Sequence, residues 1–153
     1  MRRSLSAAGA VALVFFAGFA TARIVSPAQA ATIPMTAQLI DLGALTSADF
    51  PAPSSVTPNL QSKILFAQDG ATGAVQLGTV FKHNHEEANE IQYVIEGTGT
   101  EWLGDKQVTL KPGVMLLIPK GTPHGGTVET SGHLKIIALK TPPQAATDIH
   151  PLP

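Results

Sequence analysis

The chain has 153 residues, room for one domain of ordinary size, with a formal net charge of −1 and a charged fraction of 14%. So little charge excludes a nucleic-acid binder of the basic-patch kind, and a hydrophobic fraction of 44% excludes a highly charged disordered chain. Cysteine is absent, which excludes a disulfide framework, a zinc knuckle and a thiol nucleophile; any metal site must use histidine, carboxylate or other oxygen ligands.

Residues 1–30 hold every arginine, Arg2, Arg3 and Arg23, and no acid. A basic start is followed by an apolar run from Leu5 to Ala20 and then by small residues ending Ala28-Gln29-Ala30. That order predicts a secretory signal peptide over 1–30, and so a periplasmic or secreted bacterial protein. The apolar run is short for a membrane span of about 20 residues, and Arg23 interrupts it, so no stable membrane insertion is expected after processing. Ala20-Thr21-Ala22 is a second candidate cleavage site, and the Arg2-Arg3 pair suits both twin-arginine and general export. The remaining domain, 31–153, carries seven lysines against eleven acids and no arginine.

In chain order, Ala37 to Leu42 reads as a first strand. Pro51 to Pro58 is a proline-rich surface loop. Lys63 to Ala67 and Ala74 to Lys82 are strands; the second alternates, with Val75, Leu77, Thr79 and Phe81 on one parity. Glu90 to Glu96, Thr100 to Leu103, Lys106 to Leu110, Val114 to Ile118 and Leu134 to Lys140 complete the set. Gly104-Asp105 marks a tight hairpin, and Lys111-Pro112-Gly113 and Pro119-Lys120-Gly121 mark turns. Thr141 to Pro153 reads as an arm or tail. Short strands separated by Gly and Pro predict an all-β sandwich or barrel, and no helical period is visible.

Three of the five histidines fall in two clusters: His83-Asn84-His85 with Glu90 and Gly97, then Gly113, Pro119-Lys120-Gly121 and His124. If the strand through Ala74 to His85 stays extended, His83 and His85 share its inner face with Leu77 and Phe81. Glu90 can face back from the next strand, and His124 can add a third imidazole. Three neutral nitrogens and one carboxylate around a point suit a first-row transition metal. Taken singly, each histidine reads as a surface or hydrogen-bonded core group, and Glu90 as an exposed strand end; the case rests on their combination. His133 and His150 have no partner at ligand spacing. Gln92 shares the parity of Glu90 and is placed as a donor to a ligand or to substrate. Phe81 belongs to the apolar wall, and Lys120, in the turn before His124, is a candidate basic contact for substrate.

The run His83-Asn84-His85, Glu90, Gly97 resembles the first motif of the cupin superfamily, and Gly113, Pro119-Lys120-Gly121, His124 resembles the second. The likeness covers Gly78 to Thr127, with two departures: Gly78 stands one residue closer to His83 than is usual, and Thr127 replaces a frequent asparagine. The resemblance implies a small jelly-roll β-barrel, with one divalent transition metal (Fe, Mn, Ni, Co or Zn) held by His83, His85, Glu90 and His124. It implies an enzyme of dioxygenase or lyase/isomerase type on a small chelating molecule, or else a non-catalytic metal or ligand binder of the envelope; it designates no catalytic residue. The outward strip Ile91, Tyr93, Ile95 suggests a homodimer, unless the first strand covers it.

Overall fold

Apolar and β-branched residues alternate with polar ones from residue 60 onward, and the computed structural model, which describes residues 32–153, is built of strands there. These are β1 (Leu60–Gln68), β2 (Ala71–Gly78), β3 (His83–Asn84), β4 (Asn89–Leu103), β5 (Lys106–Leu110), β6 (Met115–Ile118), β7 (His124–Thr141) and β8 (His150–Pro151). The helical content among the described residues is one 3₁₀ turn, Ser47–Asp49. No helix among them is long and apolar enough to cross a membrane. The leader expected over 1–30 lies outside the described residues.

All pairings are antiparallel, and they form one sheet curled into a half-barrel, consistent with a jelly roll. β7 is its hub. Its C-terminal half pairs β2, Leu77 opposite Lys135, and its whole length pairs β4, from Asn89 opposite Thr141 to Leu103 opposite His124. β3 joins the start of β7, with His83 opposite His124. Inside the curl, Val94, Leu110, Leu116, Ile118, Leu134 and Ile136 form the buried core. Leu116 stands opposite Gln92 and Ile118 opposite Glu90, so the core holds the strands on which those polar residues ride. The inner face therefore runs from an apolar end to a polar end.

Two expectations are corrected. Ala37 to Leu42 is not a strand: Leu39 is 95% exposed, and the Asp41 carboxylate accepts the Ala44 N–H at 3.2 Å, closing a turn instead. The segment after it is bound by side chains from the sheet, with Gln61 donating to the Ser47 and Pro51 carbonyls and Lys63 to that of Asp49. The second correction concerns parity. Thr72, Ala74 and Gln76 line the interior cavity, so Val75 and Leu77 take the opposite face. The extended run ends at Gly78, whose φ is +108°, and a Cβ there would meet the Asn59 carbonyl oxygen at 2.3 Å. The parity of β2 therefore does not carry through to His83.

Candidate metal centre

His83 and His85 flank Asn84 at β3, and His124 opens β7 directly across from His83. All three are at least 97% buried, with ring centroids 4.3 to 5.1 Å apart, and each offers a nitrogen within 4.8 Å of the other two. The other ring nitrogens are committed to main-chain carbonyls. His83 Nδ1 donates to Phe81 O at 2.8 Å, His124 Nδ1 to Thr122 O at 2.9 Å, and His85 Nδ1 to Asp148 O. A carbonyl can only accept, so each Nδ1 carries a proton and each neutral ring keeps its lone pair on Nε2. Gly125 makes room for this at His83: a Cβ there would lie 2.6 Å from Phe81 O and 3.0 Å from His83 Nδ1, and φ is +80°.

Glu90 lies against two of the three rings. Its Oε2 lies 3.1 Å from His85 Nε2, 3.3 Å from His124 Nε2 and 3.5 Å from Lys140 Nζ, and its Oε1 accepts from Gln92 Nε2 at 3.2 Å. A neutral His85 or His124 thus turns a lone pair toward a carboxylate oxygen. His124 Nε2, although close to Glu90, makes no hydrogen bond at all. Two facing acceptors need a positive charge between them, either a second ring proton or a metal ion. Burial and the neighbouring His124 push His83 down to about 4, which keeps that ring neutral. Burial opposes the charge on Glu90, but Lys140, His124 and His85 outweigh it and hold the carboxyl well below its usual range. Imidazole and carboxylate donors of this kind fit a first-row transition ion.

The C-terminal arm takes part in the site. Beyond holding His85 through its carbonyl, Asp148 accepts the backbone N–H groups of Glu86 at 2.7 Å and Ala88 at 3.1 Å. Burial would raise its carboxyl, but these N–H groups and that of Glu87 bring it below its ordinary value. β8 then pairs with β3. A cavity of about 360 Å³ opens on His83 and Glu90; it is walled by β1, β2, the end of β7, the loop at 54–57 and the arm at 144–149.

Of the substrate contacts read from sequence, Gln92 is buried against Glu90. Phe81 is half-buried with its ring edge-on to His83, and lines a separate depression with Asn59, Gly126 and Thr127. Lys120 is exposed; its backbone N–H donates to the Asn89 side chain, and it does not line the cavity. Trp102, without an assigned role in the sequence, carries Lys82 Nζ over its ring at 4.8 Å. His133 pairs with Glu129 and His150 with Asp148, and neither joins the three-histidine group.

Three residues were missed. Lys140 lines the cavity, and its parity with Leu134, Ile136 and Ala138 was available as the signal. Glu101 is 1% exposed, and burial, with Glu90 adding to it against the opposing His124, pushes its carboxyl up to about 7. The register of β4 shifts three times between Val94 and Gly99, so alternation counted from Glu90 does not reach it. Asp148 sits in a segment with no period to read.

The family model described as the cupin domain matches residues 72–140, a stretch holding His83, His85, Glu90 and His124. An uncharacterised protein of Methanocaldococcus jannaschii is 32% identical over 94 residues, 60% of this chain and 72% of that one. The structure of KdgF from Halomonas sp. superposes with a TM-score of 0.51 at 26% identity, over 58% of this chain and 84% of that one. Streptomyces PAC13, solved with uridine, shares the fold alone: 13% identity and a TM-score of 0.55 over 71% and 88%. Curled sheet, motif spacing, family model and relatives agree, and the chain belongs to the cupin superfamily.

Proposed function

We propose that this chain is an exported, metal-dependent enzyme acting on a small chelating organic molecule, with one divalent transition ion held by His83, His85, Glu90 and His124. The observation that carries the reading is the set of three Nδ1–H groups tied to carbonyls, which leaves three nitrogens close to one another, two of them against the buried Glu90 carboxylate. An ion held by these residues would supply Lewis-acid polarisation of a substrate oxygen. Gln92 holds the second oxygen of Glu90 and sets the carboxylate's orientation. The reaction is that of a dioxygenase or of a lyase or isomerase. The leader over 1–30 directs the protein to the bacterial periplasm or beyond.

Metal analysis of protein purified from its host tests the site: about one transition ion per chain is expected, and metal-free protein that takes up none on reconstitution overturns the reading. Substrate turnover by loaded protein without oxygen uptake is the result expected of a lyase or isomerase; stoichiometric oxygen consumption would make it a dioxygenase. Mass spectrometry of the host protein is expected to show a start near Ala31, and an intact Met1 in a soluble cytoplasmic fraction overturns export.

A further inference from the structure

Among the described residues, the lining of the cavity above Glu90 has one cationic side chain, Lys140. Its Nζ lies 3.5 Å from Glu90 Oε2 and donates to Gln144 Oε1, and the side chain is 13% exposed. Glu90 is the one carboxylate in the same lining, so the two form a neutral pair. A divalent ion added beside them leaves two positive charges uncompensated in a half-closed site, a costly state that an anion relieves. The far wall offers no second cation: Leu60, Ile64, Val80, Ala146 and Ile149 are apolar, and Ser62 and Gln76 are uncharged. No arginine occurs in residues 31–153 to grip a second carboxylate or a phosphate in a two-pronged fork.

We propose that Lys140 is the anion-binding residue of this cavity and that the substrate is a small monocarboxylate with a second oxygen able to chelate, its uncharged remainder lying along the apolar wall. This rests on the metal-centre reading above, because the ammonium group sits beside a carboxylate that the reading makes a ligand. The ion and Lys140 then grasp one and the same head group. Gln144 holds the ammonium group from the arm side and keeps it directed at that head.

Calorimetric titration of metal-loaded protein with 2-hydroxyisobutyrate and with its neutral amide is the test, with metal content measured on every sample. The carboxylate is expected to bind at least about tenfold more tightly than the amide. Lys140→Met should remove that preference, and Lys140→Arg should retain it. Gln144→Glu keeps the lysine but pairs it with a carboxylate, and should weaken carboxylate binding about tenfold without loss of metal; it serves if Lys140→Met does not fold. Full metal content with carboxylate binding indifferent to Lys140→Met, or to Gln144→Glu where that variant stands in, overturns this inference alone. Wild-type protein that takes up no metal overturns the metal-centre reading, and this inference with it.

Discussion

At the residue scale, each histidine's Nδ1 proton is fixed by an oxygen that cannot donate, so Nε2 is the nitrogen left to meet an ion. His83→Ala and His124→Ala are therefore expected to abolish metal binding, well beyond the roughly 10- to 100-fold cost of removing an outer partner. His133→Ala and His150→Ala should bind metal like wild type; metal analysis after dialysis checks both pairs. Glu101 gives a pH prediction. Its folded value is raised from 4.5 to about 7, so the folded state holds a proton that the unfolded state releases, and stability is lost as pH rises through that interval. Glu101→Gln should stabilise the metal-free protein by about 3 kcal/mol at pH 8 and little at pH 4, as read by urea denaturation. His83 has the opposite sign: lowered from 6.5 to about 4, it favours the unfolded state as pH falls through that range. The grouping of His83, His85 and His124 was legible because identity and spacing carry it. Glu101 was not read, since register shifts break the alternation that would have shown it facing in, whereas the parity of Lys140 with Leu134, Ile136 and Ala138 was there to be read.

At the scale of elements, β5 was legible to the residue, Lys106–Leu110, because its alternation is bounded by the Gly104-Asp105 turn and Pro112. β4 was read as two strands, for Gly97 and Gly99 look like punctuation, yet the ladder to β7 continues past both through register shifts. The first half of β7 was missed for a like reason: Gly125, Gly126 and Gly132 and the polar residues between them carry no strand signature, and pairing with β4 supplies what propensity does not. Gly125 ties this scale to the site. Gly125→Ala is expected to cost about 1–2 kcal/mol for its left-handed backbone alone, and to displace the Phe81 carbonyl that orients His83. Thermal melting should show the first effect, and a fall in metal affinity the second.

At the scale of the whole molecule, the outer face of β6, β4 and β7 is bare. Met115 stands opposite Tyr93 and Leu117 opposite Ile91, which in turn faces Leu139; Met115 and Leu117 are 59% and 65% exposed. The proposed homodimer would cover this face. Light scattering should give twice the chain mass, Leu117→Lys should shift it toward the monomer, and a strict monomer at high concentration would dismiss the dimer. The arm bears on the molecule differently. Its grip on His85 is a peptide carbonyl contributed from 63 positions along the chain, and every amino acid at position 148 supplies one. No substitution at position 148 can delete that carbonyl; from its side the contact is loosened only by freeing the arm. That carbonyl is thus guarded against mutation at position 148 and open to scissors: a protease nick between Thr141 and Asp148 would leave His83, His85 and His124 in the chain and still unlatch one of them.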